Sequence, residues 1–136
     1  MPPPDWHDRS APDLEAMAAL ARAAFEALPR VFRKAAGEVE LRFAEFADDE
    51  TLADLGIDDP FELSGLYEGV DLRRRSVLGP APAPSRVHLY RRPILDEWVE
   101  RGDVTLGELI GHVLVHEIGH HLGLSDADIE AIEAAA

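Results

Sequence analysis

Four of the six histidines fall between His112 and His121, and within that run His116-Glu117-Ile118-Gly119-His120 fits H-E-x-x-H. On a helix, residues four apart stand on one face, one turn above the other. The spacing aims two imidazoles at a common point and leaves a carboxylate one residue round from the first. Two neutral imidazoles can hold a divalent metal, and an adjacent glutamate can take a proton from water. His112 shares the face of His116 and His120, but lies about 12 Å from His120 at 1.5 Å per residue. One metal cannot easily take all three, so His112 is expected to support the site or line its cleft. His121 follows Glu117 by four residues and is expected to hydrogen-bond it, line the cleft or stand on the surface.

A helix must position these groups. Thr105-x-x-Glu108 is a capping box before it, with Val104 as a staple residue, and Gly123 is its expected end. Between them, Leu106, Leu109, Ile110, Val113, Leu114, Val115, Ile118 and Leu122 make the helix apolar nearly all round, so it is expected inside the domain. Buried histidines and a glutamate must be hydrogen-bonded, paired or metal-bound, because isolated buried charge is costly. A hydrogen-bonded polar cluster and a metal site both meet that need.

A metal site needs a third protein ligand. Asp126 lies six residues after His120, with Gly123 midway, extending the pattern to H-E-x-x-H-x-x-G-x-x-D. A glycine in the left-handed conformation can end the helix and turn the chain back. H-E-x-x-H arises by chance in roughly a few chains per thousand of this length, and adding the glycine and aspartate cuts that more than about a hundredfold. Asp126 also reads as an acidic first-turn residue of a last helix opened by Ser125-x-x-Asp128, with Ile129 and Ile132 inward. Glu130 and Glu133 are the alternative third ligands.

The rest of the chain supplies helices and short strands. A first helix is expected from about Pro12, capped by Ser10, with Leu14, Met17, Leu20 (or Ala21), Ala24, Phe25 and Leu28 as its stripe and Pro29 as its break. VFRKAAG is expected to continue as a short helix. EVELRFAEF alternates as a half-buried strand, and DDETLADLG is a short helix. FELSGLYEGVD reads as a strand and turn, LRRRSVLGPAPAPS as a loop, and RVHLYR as a strand. PILDEWVERG is a helix from Pro93 to Gly102, with Ile94, Leu95, Trp98 and Val99 inward. The aspartates at 48, 49, 54, 58 and 59 do not match the spacing of a calcium loop.

The 136 residues are 46% apolar and carry 27 acidic against 13 basic side chains, a formal net charge of −14. That suits a single domain, residues 13–136, behind a flexible tail at 1–12. Such an acidic surface repels phosphate backbones and anionic lipid, so no nucleic-acid or membrane partner is expected. With no cysteine, any metal must be held by histidine, carboxylate and water. No secretory signal or spanning segment is read, and a cytoplasmic location is expected.

HEIGHHLGLSD resembles the zincins, and its H-E-x-x-H-x-x-G-x-x-D form is similar to metzincins with an aspartate third ligand. The chain most resembles the small bacterial zincin-like, or minimal zincin, metallopeptidases, also through LSGLYEGVDL and RVHLYRRPI. The resemblance implies a compact α+β domain, a small mixed sheet packed on a buried active-site helix. It implies one zinc ion on His116 and His120, Glu117 as general base and Asp126 as candidate third ligand. No methionine occurs after Met17, so the methionine turn of full metzincins has no counterpart here.

The function expected is zinc-dependent hydrolysis of peptide bonds in a peptide or protein substrate. Tyr67, Tyr90 and His121 are candidates to stabilise the oxyanion, and an edge strand near 63–68 would pair with an extended substrate. The alternative is a non-catalytic zincin-shaped module that binds a peptide or protein, with or without metal.

Overall fold

The computed structural model describes residues 7–30, 33–34, 37–69 and 85–135. Its first helix, α1 (Leu14–Ala27), is capped by Asp13, whose carboxylate accepts the Ala16 N–H at 2.8 Å. Ser10 is therefore not the cap. Pro12 stays outside the helix, and its carbonyl accepts a hydrogen bond from Arg91 Nε at 2.5 Å. The helix ends at Leu28, whose extended backbone is the conformation a following proline imposes. The VFRKAAG helix falls partly on residues outside those described.

Among the described residues, three strands form one mixed sheet in the order β1 (Val39–Ala44), β3 (Ser85–Tyr90), β2 (Gly65–Glu68). β1 runs parallel to β3, and β2 runs antiparallel to it. Cross-strand partners share a face, so the registers sort the side chains. Val39, Leu41, Phe43, Val87, Leu89, Gly65 and Tyr67 face one way. Glu40, Arg42, Arg86, Glu68, His88, Tyr90 and Leu66 face the other. The second face carries an ion-pair ladder, with Arg86 held to Glu40 at 3.1 Å and to Glu68 at 3.2 Å.

The helices cover the first face. α4 (Leu106–His121) is anchored by Thr105, whose hydroxyl accepts the Glu108 N–H at 3.1 Å. Leu109, Ile110, Leu114 and Ile118 are buried along it, and Met17 and Ala21 of α1 join them with Val87, Leu89 and Ile94. Burying each large side chain of this kind contributes about 1.5–3 kcal/mol. Val115 and Leu122 are only half-buried, so the expected all-round burial of α4 holds for most of its surface rather than all.

Around this centre the chain makes short pieces. α2 (Asp49–Leu55) is capped by Asp48 and ends at Gly56 with φ of 69°. Phe61 lies in a 3-10 turn (Pro60–Glu62) rather than in a strand, because Asp59 accepts its N–H and Pro60 sets the first turn. α3 (Arg91–Arg101) follows β3 with no loop, so Arg91 is helical and Pro93 lies inside the first turn. Val99 is 75% exposed, against expectation, while Ile94 is fully buried and Leu95 and Trp98 pack on the core. α5 (Asp126–Ala135) closes the fold, with Ile129 1% exposed; the Ile132 side chain is outside the described set. No helix among the described residues is long and apolar enough to cross a membrane.

Candidate metal centre

The end of α4 explains how six residues of chain can bring a carboxylate back over two histidines. Gly123 has φ of 75°. Its N–H donates to the His120 carbonyl, and the Leu124 N–H to the Gly119 carbonyl, both at 2.9 Å. This is the Schellman arrangement, which reverses the chain at a left-handed glycine. Ser125 then caps α5, exchanging hydrogen bonds with Asp128 at 3.2 and 3.3 Å. Asp126 is the first residue of α5, so both of its expected positions, over the histidines and in the first helical turn, are occupied at once.

Packing fixes where α5 sits. A Cβ added to Gly119 would stand 2.5 Å from both Cγ1 and Cδ1 of Ile129. Ile129 therefore seats on the bare backbone of α4 inside the H-E-x-x-H motif, and any larger residue at 119 would push α5 outward. Sequence reading missed this role. A glycine inside an otherwise strong helix was the available signal, since such glycines often mark a close approach.

The result is a three-atom cluster. Asp126 Oδ1 lies 3.5 Å from His116 Nε2 and 3.6 Å from His120 Nε2. Ligand atoms about 2.1 Å from a tetrahedral zinc are about 3.4 Å apart, so this donor set fits that ion. Among the described residues, His116, His120 and Asp126 are the one such group, their ligand atoms all within 4.8 Å of one another. Glu133 does not join it: its carboxylate is 2.5 Å from His112 Nδ1, a pair that ties α5 back to α4. Glu130 is exposed.

Glu117 stands beside the cluster. Its side chain is 12% exposed, and its carboxylate lies 3.5 Å from His120 Nδ1. Burial pushes the carboxyl up from its ordinary value, while His120, His116 and the backbone N–H of Tyr67 favour the charged form. A cleft of about 380 Å³ opens here, between residues 62–65, Glu97 and Arg101 of α3, and the face of α4 carrying His112, Val113, His116 and Glu117. Gly65 lets β2 close on α4, because a Cβ there would lie 2.8 Å from Val113 Cγ1.

The remaining candidates separate. His121 is neither on the surface nor bonded to Glu117. It is 1% exposed, and its Nδ1 lies 3.1 Å from the Tyr67 hydroxyl. That hydroxyl also meets Ser85 Oγ at 3.1 Å. Tyr90 lies across the sheet from α4, in a small second core with Ala47 and Leu52, because strand alternation sends it to the face of His88. Burial, chiefly, pushes its phenol up to about 12.

The family model of the zincin-like metallopeptidases matches residues 36–136. A comparison with curated proteins finds no match. The family match takes in the sheet, the cleft and every residue of the three-atom cluster, and the chain belongs to the zincin-like metallopeptidases.

Proposed function

We propose that this chain is a zinc-dependent peptidase in which His116, His120 and Asp126 hold one zinc ion and Glu117 is the general base. The observation that carries the reading is the convergence of two Nε2 atoms on one carboxylate oxygen, at 3.5 and 3.6 Å, with a largely buried glutamate alongside. Bound there, zinc would lower the pKa of a water and polarise a peptide carbonyl. Glu117 takes the proton of the attacking water and passes it to the leaving amine. Its burial raises its proton affinity, the direction that favours holding the proton between the two transfers.

The substrate is an extended peptide or protein segment. Among the described residues β2 is an edge strand, and the hydrogen bond from Tyr90 N–H to the Ser64 carbonyl sets its phase. Residues 64, 66 and 68 then pair with β3, so the main-chain groups of Gly65 and Tyr67 point to the open edge beside the cleft. An extended segment can pair there and lie across His116 and Glu117.

The test is Glu117→Gln. It should keep zinc and lose about 10²–10⁴-fold in cleavage of a peptide library. Equal cleavage by the variant and the wild type sinks the mechanism. A wild type that holds zinc and cleaves nothing supports the non-catalytic binding module instead.

A further inference from the structure

We propose that the cleft beside the metal centre selects a basic side chain, so that the substrates are segments carrying lysine or arginine close to the bond cleaved. The inference rests on the peptidase reading for cleavage, though not for binding.

The cleft, about 380 Å³, is in the size range that encloses small ligands, with room for a side chain beside a main chain. Three carboxylates line it, those of Glu62, Glu97 and Glu117, against one guanidinium, that of Arg101. Arg101 is already held by Glu97, Nε to Oε2 at 3.2 Å, one turn apart on α3. Glu117 is engaged beside the metal ligands, whereas Glu62 is exposed at the end of its 3-10 turn. Glu62 is therefore left to meet the substrate, with Glu97 shared between Arg101 and an entering cation.

His112 adds to the same preference. Its Nδ1 lies 2.5 Å from the Glu133 carboxylate. A carboxylate only accepts, so the proton of that contact is on Nδ1, and Nε2 of the neutral ring is an acceptor. Lysine and arginine offer only donors and suit every polar group described here except Arg101. Aspartate or glutamate would instead face three carboxylates. Leu63 and Val113 line the same space and suit the methylene stem of a long basic side chain. His112 precedes the midpoint of His116 and His120 by about 9 Å along α4, or about three residues of extended chain. The basic residue is thus placed within about three residues of the scissile bond, on one side of it.

The test uses the full-length, zinc-loaded chain. A peptide library first locates a cleaved bond. Paired peptides then carry one lysine either within about three residues of it or well outside that reach, each with a norleucine counterpart. The near lysine should raise kcat/KM about tenfold over norleucine, the product of two exposed ion pairs at roughly threefold each. The distant lysine should change it by about twofold or less, which separates the cleft from general attraction to a chain of net charge −14. Glu62→Gln should lower the near-lysine preference about threefold, and Glu62→Arg should reverse it in favour of glutamate. No near-lysine preference, a preference there for acidic or apolar residues, an equal gain from the distant lysine, or a lysine preference that survives Glu62→Arg overturns the proposal. A wild type that cleaves nothing refutes the peptidase reading. Titration of lysine and norleucine peptides into that zinc-loaded wild type then decides the cleft: lysine should bind about tenfold tighter, and equal affinity or no binding overturns the proposal.

Discussion

Asp126 presents 75% of its side chain to solvent, yet it is the residue that completes the cluster. In the proposed site exposure and importance separate, because the carboxylate would contribute through the metal, not through the core. Asp126→Ala should therefore weaken zinc by more than the roughly 10–100-fold typical of losing a supporting partner. The metal-free protein should lose only about 0.5 kcal/mol, from the helix dipole. A chelator competition titration and a melt of the metal-free variant measure the two effects. The motif itself was legible from spacing, because helical geometry alone places residues 116 and 120 together. The environment of His121 was not, since its partner Tyr67 is 54 positions away.

The elements contribute in unequal ways. Ile129 on Gly119 determines where α5 lies, whereas Thr105 only starts α4. Ile129→Ala should cost about 2–5 kcal/mol and also loosen zinc binding. Thr105→Ala should cost about 1 kcal/mol and leave the zinc affinity of the folded protein unchanged. Denaturant titrations paired with zinc titrations distinguish a helix that positions from one that is merely present. On the outer face of the sheet, Arg86 hydrogen-bonds Glu40 and holds its carboxyl below the ordinary value. The folded pKa is depressed, so this contribution is present above the unfolded glutamate pKa and fades as pH falls through the folded one. Glu40→Gln should lower the melting midpoint slightly at pH 7, and the gap from wild type should close in acid. Helix ends at Gly56, Gly102 and Gly123 were readable because a left-handed glycine is a local requirement. The inward face of α3 was not, since Val99 repeats the helical spacing but remains 75% exposed.

At the scale of the whole molecule, a metal at the proposed site and protons should both couple to folding. Zinc at about a thousand times its dissociation constant should add about 4 kcal/mol. Melting should rise accordingly, in the wild type and in Glu117→Gln alike, and a chelator should reverse it. Tyr90 supplies a second handle. Burial, chiefly, pushes its folded pKa up to about 12 from the ordinary 10.0. The stability it contributes is fully present below the unfolded value and is lost as pH rises towards the folded one. Tyr90→Phe should flatten the decline in stability between pH 10 and 12, as denaturant titrations at those two limits would show. The sequence by itself determined what local rules control: the H-E-x-x-H spacing, the caps at Thr105 and Ser125, the glycine helix ends, the strand alternation, and the α+β class. Only the tertiary structure decided that Ile129 seats on Gly119, that His112 pairs with Glu133, that Tyr90 faces away from α4, and that the Tyr67 hydroxyl meets His121. Spacing fixes which residues share a face of their own element, but not which face of another element they meet; that depends on packing the whole chain at once.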